Sequence, residues 1–195
     1  MAEKKDDGLT VITPPGIACF VHVWEPHAFK DAKGGKPKEP QFRIILVFDE
    51  DTDLSEMKKT AGRAAIKKWG RDEAKEMLAE GELHLPFRKG KEYREYGEPF
   101  TNPGAIFISS SSNGAPGIVD SRAKPILKQQ DFYAGCKARI SVYAHAYDTL
   151  GNKGVTFLLN NVQKVGDGER LSGRQDAEKE FSPVAASEDD ISDLF

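Results

Sequence analysis

The sequence predicts a mainly β protein: a five-stranded antiparallel barrel with a helical insertion between its second and third strands. Three observations predict it: short segments that alternate apolar and polar side chains, glycine-rich turns, and one interval with helical spacing. The 195 residues suffice for one domain with its own core. We expect a flexible lead-in over residues 1–15, the barrel domain over 16–172 and a flexible acidic tail over 173–195.

Five segments carry the strand pattern. The fourth and fifth form a hairpin by their spacing around the glycine-rich turn at 151–154. A small antiparallel barrel with long loops is typical of the oligonucleotide-binding (OB) type. The five predicted strands are residues 16–24, 41–48, 105–111, 132–147 and 155–165.

The helical insertion begins after the second strand. Asp53 has the position of a helix N-cap, and Glu56 follows three residues later, which is the spacing of a capping box. Apolar residues recur at helical spacing from Leu54 to Gly70, and a second helical segment covers residues 72–79.

The composition indicates a cytosolic protein with no membrane partner. No segment approaches the ~20 consecutive apolar residues of a membrane helix, and the charged N-terminal residues do not form a signal peptide. Cys19 and Cys136 lie in apolar alternating runs, so we interpret them as small core residues rather than a disulfide.

The net charge of −3 is unevenly distributed. Because residues 187–195 hold four of the 31 acidic side chains and none of the 28 basic ones, the rest of the chain carries one net positive charge. A nearly neutral body of this kind can still present a basic groove, and the acidic segment is electrostatically separate from it.

One strand face combines cations with aromatic rings. In residues 136–147 one parity is small and apolar, as a barrel interior requires, and the other is polar. Cations hold phosphates and rings stack on bases of any identity, so this face predicts sequence-independent binding of a single strand. A polar, tyrosine-rich outer face without such a role is the alternative. The polar parity consists of Lys137, Arg139, Ser141, Tyr143, His145 and Tyr147.

Two basic loops accompany that strand. The loop over residues 30–40 contains four lysines, Lys30, Lys33, Lys36 and Lys38. The connection over residues 85–104 interleaves basic and aromatic side chains, and such long loops are usually functional. Its proposed DNA-binding members are Arg88, Lys89, Lys91, Tyr93, Arg94 and Tyr96. Phe20 and Trp24 share one parity of the first strand, and we interpret them as core residues rather than base-stacking ones.

Residues 187–195 join four carboxylates to Ile191, Leu194 and a final Phe195. A docking peptide needs this combination, because Phe195 can fill an apolar pocket while its α-carboxylate and the acids contact Lys or Arg. The acids can also mimic DNA and occupy the protein's own groove while it is empty. A plain acidic tail is the alternative. The predicted partner-binding residues are Asp189, Asp190, Asp193 and Phe195.

No catalytic or metal motif is recognisable, so we predict a non-enzymatic protein without a cofactor or metal. The four histidines are scattered, and HExxH, CxxC, GxSxG and P-loop patterns are absent. Residues 49–53 begin like a calcium loop, but Leu54 and Thr60 stand where Gly and Glu are needed. Two alternatives stay open: a protein–protein adaptor whose tail is the sole active part, and a metal-dependent nuclease using Asp49, Asp51 and Asp53.

Several short segments together resemble bacteriophage single-stranded-DNA-binding proteins, which have an OB fold and an acidic tail ending in Phe. The segments are LPFRKGK (85–91), YAGCKAR (133–139), GNKGV (151–155), QKVGDGERL (163–171) and the acidic tail. The resemblance implies a role in phage DNA replication and recombination, in the cytoplasm of the infected host cell. It implies that the tail recruits replication proteins such as polymerase or helicase-primase. It also allows self-association and weaker binding of double-stranded DNA.

Overall fold

The computed structural model describes residues 7–28, 39–91, 95, 97–149 and 151–171. These residues form eight strands and two α-helices, with a short 3-10 helix at Gln129–Asp131. None of the helices in these ranges is long and apolar enough to cross a membrane. In chain order the elements are β1 (Thr10–Ile12), β2 (Gly16–His27), β3 (Gln41–Phe48), α1 (Ser55–Trp69), α2 (Arg71–Ala79), β4 (Arg88–Lys89), β5 (Ile106–Ser112), β6 (Gly117–Val119), β7 (Lys137–Thr149) and β8 (Asn152–Gly166).

The five long strands correspond to the five predicted from the sequence, and each of them pairs with two others. The pairings run from β2 to β3, β5, β8, β7 and back to β2. All are antiparallel except β5 with β8, which is parallel. The short strands β1, β4 and β6 add to β7, β5 and β8. β1 lies in the region that we expected to be a flexible lead-in.

The predicted alternation along β7 is confirmed by burial. Its even-numbered residues from Ala138 to Ala144 are buried in the main core, whereas the odd-numbered ones are exposed or half-buried. Helix α1 contributes Met57 and a row of alanines to the same core. This fixes which side chains of β7 face outward.

A second, smaller core lies on the outer face of β2, β3 and β5. Phe100 covers this face, with its ring centroid 5.6 Å from that of Phe107. Cys19 belongs to this cluster and Cys136 to the main core, so both cysteines are buried and free, as predicted. Burial is the main reason that the pKa of Cys19 is raised to about 12.

The element boundaries differ from the predictions at two places. The strand predicted from residue 132 begins at Lys137, because Gly135 has φ +107 and interrupts the extended chain. Helix α1 begins at Ser55, whose amide donates to Asp53 Oδ1 at 2.9 Å. The predicted N-cap at Asp53 and the capping box are both wrong. The N-cap is Leu54, and Glu56 pairs with Lys59 Nζ at 2.7 Å instead of capping the helix.

Candidate nucleic-acid interface

The strand register joins the two basic elements that the sequence predicts. Lys137 pairs with Ile17, Ile17 with Val47, Val47 with Phe107, and Phe107 with Arg88. Paired residues share a face of the sheet, and neighbouring strands lie about 4.8 Å apart. Lys137 and Arg88 therefore border one outer face, with three strands between them, β2, β3 and β5.

The cations of these elements are exposed. Lys137 and Arg139 lie at the outward-facing start of β7, and Arg139 Nε donates to Gln163 Oε1 at 2.6 Å. Arg88 and Lys89 form β4 at the edge of β5, and Lys91 follows them. This arrangement provides positive charge on two sides of the smaller core that covers the β2–β3–β5 face.

The two tyrosines of the β7 stripe are half-buried. The Tyr143 hydroxyl donates to Asp7 Oδ2 at 3.0 Å, and Lys67 Nζ contacts the same oxygen at 2.8 Å. Lys67 is the main reason that the pKa of Asp7 is lowered, and Asp7 in turn raises the pKa of Tyr143. A Cβ on Gly154 would lie 2.5 Å from the Tyr147 hydroxyl, so that ring covers the β7–β8 hairpin. Both tyrosines thus already contact neighbouring elements of the fold.

Some predicted residues lie outside the described part of the chain. They are Tyr93, Arg94 and Tyr96 of the basic-aromatic loop, the four lysines at 30–38, and Asp189, Asp190, Asp193 and Phe195 of the tail.

The structure adds a groove of about 590 Å³ that sequence reasoning missed, which we call the Tyr133 groove. The Arg170 guanidinium lies 4.0 Å from the centroid of the Tyr133 ring, and Lys164 Nζ lies 5.0 Å from it. The groove is lined by Val21, Trp24, Lys128, Gln129, Gln130, Phe132, Tyr133, Ala134 and Arg170. Rings beside cations are what a single strand with exposed bases requires.

Hydrogen bonds fix the groove's aromatic wall. Tyr133 donates to Asp167 Oδ1 at 3.0 Å, and Arg170 donates to the carbonyl oxygen of Gln130 at 3.1 Å. Hydrogen bonds from Lys164 and then from Tyr133 hold the pKa of Asp167 below its usual value. The ring and the guanidinium are thereby held in place before any ligand arrives.

A tight backbone crossing places Arg170 over Tyr133. Gly135 has φ +107, and a Cβ on it would overlap the carbonyl oxygen of Glu169. A Cβ on Gly168 would likewise overlap the carbonyl oxygen of Gly135. Only glycine allows the two segments to approach this closely.

β2 carries a bulge beside the groove. Its register with β3 shifts between Cys19 and His22, and Phe20 has the unusual φ of +47. Such bulges re-aim side chains and are frequent at functional sites. Phe20 lines a second groove of about 260 Å³ with Phe100 and Leu171. Ala134 lines both grooves, so the two adjoin.

Phe20 and Trp24 both pack against a core and line a groove. Trp24 packs against the main core and donates through Nε1 to the Phe132 carbonyl oxygen at 3.4 Å. Phe20 packs against the smaller core. These contacts confirm that both rings pack against a core. Because each side chain is only half-buried, part of its ring surface also lines a groove.

Two histidines of β2 flank Trp24. The rings of His22 and His27 stack with centroids 4.6 Å apart. His22 pairs with Arg43 of β3. Partial burial, followed by the proximity of His27 and Arg43, lowers the pKa of His22. His22 is therefore predominantly neutral at pH 7.

The described residues contain no group of three or more His, Cys, Asp or Glu side chains that could hold a metal ion. Of the three aspartates in the nuclease alternative, Asp53 Oδ1 accepts from the Ser55 amide, and the Asp49 carbonyl oxygen accepts from Thr52 in the preceding turn. The interpretation of this segment as a turn is confirmed, whereas the helix cap is not, because the N-cap is Leu54.

Solved structures with a similar fold come from phage proteins. The single-stranded DNA-binding protein from bacteriophage Enc34 in complex with ssDNA has a TM-score of 0.66 and 16% identity, over 85% of this chain and 91% of that one. A further solved structure of the Enc34 single-stranded DNA-binding protein has a TM-score of 0.62 and 16% identity, over 90% of this chain and 92% of that one. The gp2.5 single-stranded DNA-binding protein of bacteriophage T7 gives 0.51 and 16%, over 91% and 98%.

No curated protein sequence matches the chain significantly. A family model does match, over residues 10–192, and that range includes β1 to β8 and most of the acidic tail. The chain therefore belongs to the family of the Enterobacter phage Enc34 ssDNA-binding protein.

Proposed function

We propose that this protein coats single-stranded DNA without reading its sequence, through an OB-type barrel, during phage DNA replication and recombination. The observation that carries the proposal is the Tyr133 groove, in which a cation is stacked on an aromatic ring. The Arg170 guanidinium lies 4.0 Å from the centroid of the Tyr133 ring in this groove. Lys137 and Arg88 border the outer face of β2, β3 and β5. The family membership and the Enc34 complex with ssDNA support it.

The proposal assigns DNA to the surface that OB barrels use for oligonucleotides. In that fold, the face of the second and third strands binds the ligand with the loops between strands one and two and between strands four and five. Here those strands are β3 and β5, and the first of these loops is the lysine-rich segment near residues 30–38. Lys137, Arg139, Arg88, Lys89, Lys91 and Arg94 would neutralise phosphates, and Tyr93, Tyr96, Tyr143 and Tyr147 would stack on bases together with Trp24 and Tyr133.

The acidic tail has two proposed roles. Asp189, Asp190, Asp193 and Phe195 recruit replication proteins such as a polymerase or helicase-primase, and the acids compete with DNA for the basic surface. The protein would work as a non-enzymatic coat in the cytoplasm of the infected host cell. Self-association and weaker duplex binding are compatible with it.

A competition assay tests the proposal. Labelled poly-dT bound to the full chain should be displaced equally well by unlabelled mixed-sequence single strands and much less well by duplex of the same length. Equal displacement by duplex would refute the preference for single strands. An adaptor would show no oligonucleotide affinity at moderate salt, and a nuclease would cleave the probe when a divalent metal ion is added.

A further inference from the structure

A mostly apolar concave surface lies away from the Tyr133 groove. It is a cavity of about 510 Å³ between α1, α2 and residues 83–89, which we call the helix groove. Ile66, Leu78 and Leu85 line it although they are 37%, 51% and 40% exposed. A concave apolar surface of this size indicates a binding site rather than a random exposed side chain.

The groove is apolar inside and basic at its rim. Five of its fifteen lining residues are cations, and none of these lining residues is acidic. A ligand that suits it has apolar side chains flanked by carboxylates. The five cations are Lys58, Arg71, Lys75, Arg88 and Lys89.

The chain itself contains a segment of this chemistry. Residues 187–195 hold Ile191, Leu194 and Phe195 among four carboxylates, with no cation. We propose that the helix groove binds residues 187–195 of the same chain, with the three apolar side chains inside it and the acids on the basic rim.

The connection is long enough for binding within one chain. Residues 172–186 separate the last described residue from this segment, and fifteen residues span up to about 50 Å when extended. A folded domain of this size has a radius of gyration of about 15 Å, so the extended connection is longer than the domain is wide.

Docking in the helix groove also explains how residues 187–195 can oppose DNA binding without entering the Tyr133 groove. Arg88 and Lys89 line the helix groove and belong to the predicted DNA-binding set. Carboxylates held on this rim would lower the positive potential at one border of the DNA face. This last step rests on the proposed function, whereas the docking itself does not.

A photo-crosslinking experiment on the full chain tests the docking. Phe195 is replaced by photoreactive p-benzoylphenylalanine, and an equal mixture of unlabelled and ¹⁵N-labelled protein is irradiated. Mass spectrometry then assigns each crosslink to one chain or to two. We expect crosslinks within one chain, at α1, α2 and residues 83–89.

Matched variants of exposed leucines provide the control. Leu78→Gln combined with Leu85→Gln should reduce these crosslinks several-fold. Leu158→Gln, at a position on β8 that is 38% exposed and outside the groove, should leave them unchanged. Crosslinks to the Tyr133 groove, crosslinks between two chains, or equal yields in all variants would overturn the proposal.

Titration with poly-dT separates this inference from the proposed function. The Leu78→Gln, Leu85→Gln variant should bind poly-dT more tightly, by the same factor as removal of residues 187–195. If crosslinks map to the helix groove but neither change affects affinity, the docking holds and the competition with DNA fails. If crosslinks map elsewhere while removal still tightens binding, the docking fails and the competition holds.

Discussion

The Arg170 guanidinium lies over the face of the Tyr133 ring, 4.0 Å from its centroid, at the edge of an open groove. The Tyr133 hydroxyl and Arg170 are each hydrogen-bonded to neighbouring segments, so the pair is preorganised. In such a pair the cation can bind a phosphate, and the neighbouring aromatic surface can stack on a base. This relationship provides a specific mutational test of the proposed DNA interface.

Replacing Arg170 with Ala should weaken poly-dT binding several-fold and reduce the steepness of its salt dependence by about 0.7, the value for one lost phosphate contact. Fluorescence titration at several salt concentrations measures both. Arg122→Ala, at an exposed position outside the groove, is the control. An unchanged salt slope for Arg170→Ala would remove this residue from the interface.

Substituting Gly135 should affect binding indirectly. Gly135→Ala puts a methyl group against the Glu169 carbonyl and strains the backbone, at a cost of roughly 1–3 kcal/mol in stability. It should displace residues 169–171 and with them Arg170, so poly-dT affinity should fall as well. Urea denaturation and DNA titration measure the two effects. In Gly114→Ala the new methyl meets only Ser112 Oγ at 3.9 Å, so both quantities should stay near wild type.

The double change Lys137→Ala, Arg139→Ala tests the β7 stripe. Both side chains are exposed, so the fold should tolerate their loss. The logarithmic salt dependence of binding should become less steep by about 1.4 if each side chain contacts one phosphate. Lys59→Ala on α1 is the control, because Lys59 pairs with Glu56 on an exposed helix face. Identical slopes for wild type and the double variant would place DNA elsewhere on the molecule.

Binding should strengthen as the pH falls. The pKa of His22 lies below its ordinary value of 6.5, mainly because of partial burial, so this imidazole is neutral in the free protein near pH 7. A nearby phosphate favours the charged form and raises that pKa, so binding takes up a proton. Poly-dT affinity at constant salt should therefore be higher at about pH 5.5 than at about pH 7.5, where histidine is predominantly neutral. In His22→Gln the rise in affinity at low pH should be smaller than in the wild type. A rise equal to that of the wild type would exclude His22 as its source.

The long strands could be predicted because each has a local signature. Alternation along residues 136–147 gave the outward and inward faces of β7 correctly, and the N-cap predicted at Asp53 lies one residue before the observed N-cap, Leu54. The short strands β1 and β4 are defined by their pairing with β7 and β5 and have no pattern of their own.

The Tyr133 groove could not be predicted from local patterns. Trp24, Tyr133 and Arg170 come from three distant parts of the chain and meet only because β2, the turn before β7 and the residues after β8 converge. The glycines at 135 and 168 were visible in the sequence, but the contact between their backbones was not. The half-burial of Tyr143 also depends on a distant residue, Asp7.

The salt dependence of poly-dT binding tests the central claim most directly. The full chain should bind poly-dT at about 50 mM salt and lose affinity towards about 200 mM, with a logarithmic slope of about −0.7 for each phosphate neutralised. Several phosphates on the basic face predict a slope of roughly −2 or steeper. A flat response, or no binding at the lower salt concentration, would contradict the proposed DNA-coating function.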